Sequence, residues 1–199
     1  MLFEIIEGAG WPIWPLIFVS IVGLSIVIER AWFLRERAIL PEVLVDNALD
    51  MIERGSINKK ELIELSKNSF LGDIFISILK NHDRSTEEMT STVYQTAENI
   101  KYRLDMNLSG LSTISTIAPL LGLFGTIIGM VEVFGSFSSG GHDVSVFAKG
   151  ISIALYNTAG GIVVAVPAMI AYRFFRSKVD HLLNKMEIYS SRLINALKN

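Results

Sequence analysis

Three stretches of this 199-residue chain run without a charged residue for at least the length a helix needs to cross a bilayer: Gly8 to Ile28 (21 residues), Met106 to Val131 (26) and Gly150 to Tyr172 (23). A spanning helix rises 1.5 Å per residue and needs roughly 20 apolar residues. Lipid offers no partner to a free backbone N–H or C=O, so each stretch must satisfy its own hydrogen bonds as an α-helix. The sequence therefore predicts an all-α membrane protein with three transmembrane helices. Half of the residues are hydrophobic and the mean hydropathy is positive, a composition that excludes a disordered chain. No Lys or Arg precedes the first stretch, and Glu4 and Glu7 stand where a signal peptide would be basic, so this stretch reads as a span rather than a cleaved leader.

Orientation follows from the 18 Lys and Arg residues: none before the first span, 11 between Glu29 and Asp105, one (Lys149) between the second and third spans, and six after Tyr172. By the positive-inside rule, the 29–105 segment and the C-terminus are expected in the cytoplasm and the N-terminus outside. Trp11, Trp14 and Trp32 flank the first span as interfacial anchors. The expected segments are an outer interfacial helix (1–10), the first transmembrane helix with a cytoplasmic extension reaching Pro41 (11–40) and a helical cytoplasmic domain (41–105). The second span (106–133), an outer loop (134–149), the third span (150–172) and a cytoplasmic C-terminal helix (173–199) follow.

Within the 41–105 segment, Val43, Leu44, Ala48, Leu49, Met51 and Ile52 supply an apolar helix face that Gly55 would end. Asn58 can cap a second helix carrying Leu62, Ile63 and Leu65, and Phe70 to Leu79 reads as a third. Ser85-Thr-Glu-Glu88 fits a capping box, and no proline follows until Pro119, which predicts one long helix from Ser85 into the second span. After Pro167 the chain has neither Gly nor Pro, so the third span should continue as helix to the C-terminal region.

The spans carry their chemistry in two motifs. Gly122, Gly125 and Gly129 in the second, and Gly150, Ala154, Thr158 and Gly161 in the third, form small-residue stripes suited to close helix packing. Thr126 lies six residues inside Glu132 and Thr158 nine inside Lys149, roughly 9 and 13 Å, so the two hydroxyls can share a membrane level. With Tyr156, Asn157 and Ser152 they are the candidate pore-lining or partner-contacting residues, because polar groups are costly in hydrocarbon without a protein partner or water. A lone Thr can instead satisfy itself on the carbonyl one turn earlier. Glu132 is a candidate acidic outer mouth or simply a solvated carboxylate. Neither motif contains a carboxylate, so a proton pathway would need its titratable group from another subunit. The chain has no cysteine, phosphate loop, zinc motif or nucleophile elbow, so no cofactor, metal site, soluble-type enzyme chemistry or nucleic-acid partner is expected.

Ala118-Pro-Leu-Leu-Gly-Leu-Phe-Gly-Thr-Ile-Ile-Gly129 and Gly150-Ile-Ser-Ile-Ala-Leu-Tyr-Asn-Thr-Ala-Gly-Gly-Ile-Val-Val-Ala-Val-Pro-Ala168 resemble the MotA/TolQ/ExbB proton-channel family, the ExbB/TolQ branch in particular. The resemblance covers nearly the whole chain. It implies a pentamer in the bacterial inner membrane whose second and third helices surround the transmembrane helices of an ExbD/TolR-type partner. In the family, an aspartate on that partner takes up and releases protons, driving work by a TonB- or TolA-like protein at the outer membrane. Thr126 and Thr158 match the family's lumen-facing threonines. The sequence departs from the pattern at Ile153, where ExbB and TolQ usually hold a glutamate, and at Tyr156 and Asn157, where small or apolar residues are common. A MotA-like stator for motility and a structural membrane scaffold are the alternative readings.

Overall fold

The computed structural model describes residues 2–53, 69–138 and 144–198. Every described element is a helix: α1 (Leu2–Ala9), α2 (Ile13–Phe33), α3 (Glu36–Ile39), α4 (Glu42–Glu53), α5 (Phe70–Lys80), α6 (Thr86–Asp105), α7 (Leu108–Ser138) and α8 (Val144–Lys198). α2, α7 and α8 are the three helices long and apolar enough to cross a membrane. The chain divides into two compact units, Met1–Glu29 with Asn107–Phe174, and Arg30–Met106 with Phe175–Asn199.

In the first unit, the span unit, α1 ends where Gly10 takes φ +69°, a left-handed backbone that glycine adopts without a Cβ penalty. The chain then enters α2 directly. Ala9, Ile13 and Leu16 pack with Ala118 and Ala165 of α7 and α8, so the start of the first span is its best-buried part. The rest of α2 is loosely covered: only 17% of its most apolar window is buried, against 33% for α8.

The second, polar unit is built by amphipathic helices. Ser69 caps α5 by accepting from the Gly72 N–H at 3.0 Å, and Ser85 caps α6 by accepting from the Glu88 N–H at 3.2 Å. α5 packs against α6 in antiparallel register, with the Thr96 hydroxyl 3.4 Å from that of Ser77 and Arg103 3.6 Å from Asp73. Met89, Val93, Ile100 and Leu104 of α6 bury one face, as do Leu71, Ile74, Phe75 and Ile78 of α5. Along α8, Phe175, Val179, Leu182, Met186, Ser190 and Leu193 are buried at steps of three and four residues, the largely apolar stripe of an amphipathic helix.

The structure corrects four expectations. α6 and α7 are separate: Asn107 has φ 68°, a conformation in which asparagine is enriched, and its side chain donates to the Glu29 carboxylate at 3.3 Å. α2 stops at Phe33 rather than extending to Pro41, because Arg35 is extended (φ −75°, ψ 121°) and starts the short α3. In α4, Val43 is 67% exposed, while Val45 joins Leu44 and Ala48 in the core. The expected 134–149 loop is largely helical, since α7 runs to Ser138 and α8 begins at Val144. Gly55, the helix expected from Asn58 with Leu62, Ile63 and Leu65, and residues 139–143 lie outside the described residues.

Candidate functional site

The centre of the span unit is the antiparallel seam of α7 and α8, where backbone meets backbone. A Cβ on Gly122 would lie 2.8 Å from the Asn157 carbonyl oxygen, one on Gly161 would lie 2.8 Å from the Ala118 oxygen, and one on Gly129 would lie 2.5 Å from the Gly150 oxygen. At Gly125 a Cβ would fall 2.3 Å from the Asn157 Cβ, and at Gly150 one would fall 2.3 Å from the Val133 Cγ2. The small-residue stripes therefore lock the two helices together within one chain. Such contact suits a bilayer, where helices gain little from burying apolar surface and associate instead through close packing.

Asn157 occupies the space that Gly125 leaves. It is fully buried, and its Nδ2 donates to the Ala9 carbonyl at 2.7 Å and to the Ile153 carbonyl at 2.8 Å. Ala9 is the last residue of α1, so the amide satisfies a helix-terminal carbonyl that its own helix leaves open. Asn157 was expected at a pore or partner face; the structure instead puts it inside the protomer, joining α1 to α8. Its Oδ1 is buried and accepts no hydrogen bond among the described residues. Tyr156 is 40% exposed, and its ring edge reaches to 3.0 Å from where a Gly8 Cβ would stand. Both residues that depart from the small or apolar pattern thus meet α1. Ile153 is also buried, with its Cδ1 3.6 Å from a Cβ position on Gly10, against the turn that follows α1.

Thr126 and Thr158 flank this packed level and are only partly buried. Gly125 stands opposite Asn157 and the helices run antiparallel, so the two threonines step from that level in opposite directions by one residue each. Their separation in depth is about 3 Å. The Thr126 hydroxyl donates to the Leu123 carbonyl at 2.6 Å, and that of Thr158 to the Ala154 carbonyl at 3.1 Å. Ser152, about a turn and a half before Thr158, likewise donates to the Ala148 carbonyl at 2.9 Å. A hydroxyl has one donor and two acceptor lone pairs, so each keeps acceptor capacity and has committed its proton. The site can receive a hydrogen bond from a carboxylic acid, water or a hydrated proton. It can donate to a carboxylate only by breaking a bond to its own helix.

Glu132 is exposed toward the C-terminal end of α7, about 9 Å in helix rise from Thr126. The structure does not bring it to the threonine level. No Asp, Glu, His, Lys or Arg lies on α7 between Leu108 and Val131 or on α8 between Gly150 and Tyr172. Among the described residues, no group of three His, Cys, Asp or Glu side chains could hold a metal ion. What the sequence did not reveal is the α1 dock. Asn157 stood out as a costly amide, but its partner carbonyl is 148 positions away.

Comparison with known proteins places these features in a family context. The model of the MotA/TolQ/ExbB proton channel family matches residues 66–188. The chain is 31% identical over 197 residues to the biopolymer transport protein ExbB-like 1 of Synechocystis, covering 97% of this chain and 77% of that one. It is 27% identical over 190 residues to the biopolymer transport protein exbB1 of Vibrio cholerae, covering 91% and 82%. A shorter match, 38% identical over 96 residues, joins it to the biopolymer transport protein ExbB of Helicobacter pylori, covering 48% of this chain and 66% of that protein.

Proposed function

We propose that this chain, which belongs to the MotA/TolQ/ExbB proton channel family, is the ring-forming subunit of a proton-driven motor in the bacterial inner membrane, and that its partner carries the titrating group. The family is one of membrane proton channels rather than enzymes. The observation that carries the proposal is the pair Thr126 and Thr158: two residues about 3 Å apart in depth, both hydroxyls with acceptor capacity, in spans with no deep Asp, Glu, His, Lys or Arg. A channel needs a group that binds and releases protons, and this chain offers no carboxylate, imidazole or amine at that level. An aspartate on an ExbD/TolR-type single-span helix meets the requirement.

In this reading a homopentamer surrounds the partner's helices with its α7 and α8 faces. A neutral, protonated aspartate is matched by the acceptor oxygens of Thr126 and Thr158, which receive its O–H. After deprotonation the carboxylate finds acceptors rather than donors, and that mismatch favours its movement toward the next protomer. Ser152 extends the hydroxyl track outward and Glu132 concentrates cations at the outer end. Tyr156 borders the track, while Asn157 acts indirectly by holding α1 and the seam in place. With N-out, C-in orientation, the work is delivered outside the inner membrane through a TonB- or TolA-like protein. The ExbB names of the relatives favour this over a motility stator.

Thr158→Val keeps the shape of the side chain and removes its acceptor. In proteoliposomes holding this chain and its partner, it should cut proton flux about tenfold or more, the scale of one lost hydrogen bond in a desolvated site. Thr158→Ser should restore most of the flux. Full flux in both Thr158→Val and Thr126→Val, with normal assembly, would overturn the pore role of the two threonines.

A further inference from the structure

Three arginines of the polar unit stack on aromatic rings, and they differ in what else they touch. Arg30 lies 4.8 Å from the Phe33 ring centroid, is almost wholly buried, and donates to the Leu104 carbonyl at 3.0 Å. Arg103 lies 4.7 Å from the Phe70 ring and faces Asp73 at 3.6 Å. Arg35 lies closest, 4.0 Å from the Trp32 ring, and has neither a carboxylate nor a carbonyl partner among the described residues. Its neighbour Glu36 does not neutralise it, because that carboxylate is engaged by Lys185. Arg37 is also exposed and unpaired among the described residues.

The platform is as unusual as the cation. Trp32 is 70% exposed in the last turn of α2, directly after the first membrane-length apolar stretch, and Ile28 one turn before it is 62% exposed. An indole at the end of a span belongs in the headgroup layer. A guanidinium over it has one face against the ring and its in-plane N–H groups without a partner among the described residues, and that planar fork matches a phosphate bidentately. The exposed side of α2 offers an apolar surface to chains attached to that phosphate.

We infer that Trp32 and Arg35, with Arg37 beside them, form a binding site for the phosphodiester headgroup of an anionic phospholipid at this end of the first span. The lipid, rather than a soluble phosphate compound, is the occupant because the platform is continuous with the apolar surface of α2. The site needs α2 to cross the bilayer and is independent of the proton-transfer reading, so either can fail alone.

The test uses the full chain in vesicles, with Trp11→Phe and Trp14→Phe leaving Trp32 as the single tryptophan. Quenching by brominated phosphatidylglycerol should exceed that by brominated phosphatidylcholine by about fivefold in apparent affinity, the scale of one basic residue at an anionic surface. Arg35→Gln with Arg37→Gln should abolish that preference, and Lys149→Gln should leave it intact. If the tryptophan variants do not fold, native mass spectrometry of phosphatidylglycerol retention by the otherwise unaltered chain, with and without Arg35→Gln and Arg37→Gln, reads the same preference. Equal quenching by the two lipids, or a preference that survives both arginine substitutions, would overturn the site. Loss of the preference on adding inorganic phosphate at constant ionic strength would overturn the lipid as its occupant.

Discussion

The two units of this chain are held together by opposite means. In the span unit, the α7–α8 seam depends on what side chains lack: Gly122, Gly125, Gly129 and Gly161 bring backbones into contact, and one buried amide, Asn157, joins α1 to them. In the polar unit, the interior is filled by Leu71, Ile74, Phe75, Ile78, Met89 and Leu104, with serine caps and ion pairs at the edges. The difference follows from the solvent. Water drives large apolar side chains together, while lipid tails are themselves apolar and leave close packing and hydrogen bonding as the main attractions between helices. The span unit should therefore be sensitive to added volume and the polar unit to lost volume.

The largest effect is expected in the polar unit. Phe75 is fully buried, and Phe75→Ala should destabilise the protein by about 3–5 kcal/mol, measurable as a lower midpoint of chemical unfolding in detergent. Next comes the reverse experiment in the span unit. Gly125→Ala adds one methyl where a Cβ would fall 2.3 Å from that of Asn157, and should cost about 1–3 kcal/mol through a forced shift of α7 against α8. Its control is Leu123→Ala, which truncates a side chain 55% exposed on the same helix and should leave thermal stability nearly unchanged. Equal losses in Gly125→Ala and Leu123→Ala would break the contrast between the units.

The smallest effect belongs to the ion pairs. The Lys185 ammonium, hydrogen-bonded to Glu36, holds that carboxyl below its usual range, with smaller contributions from His181 and Lys178. A lowered folded-state value means that the pair's contribution is present above the ordinary carboxylate range and is lost as pH falls through the lowered value. Both side chains are substantially solvated, so Glu36→Gln should cost less than about 1 kcal/mol at neutral pH, and the difference from wild type should vanish in acid. A pH-independent difference would mean that Glu36 acts through packing rather than charge.

Much of this architecture could be read from residue patterns, for reasons that also explain the misses. The absence of Gly and Pro after Pro167 marked the continuous α8, and Ser85 followed by Glu88 marked the start of α6, because local backbone preference decides both. The break at Asn107 was not legible: no glycine or proline marks it, and its only sign is a residue type that tolerates positive φ. The glycine stripes announced close packing but could not identify Asn157 as the group that Gly125 accommodates. Thr126 and Thr158 were placed at one level by counting from charged boundaries, and the helix register agrees to within about 3 Å. Asn157 was misjudged because an amide deep in a span is costly wherever it points, and only the fold shows that it reaches the end of α1.

Under the proposed function, this chain supplies acceptors along a proton path and its partner supplies the proton carrier. The direct test is proton flux into liposomes under an imposed gradient, read with a pH-sensitive dye, for the chain alone and for the chain with its partner. Background flux is expected for the chain alone, and robust flux only with a partner whose membrane aspartate is intact. Robust flux through the chain alone would contradict it.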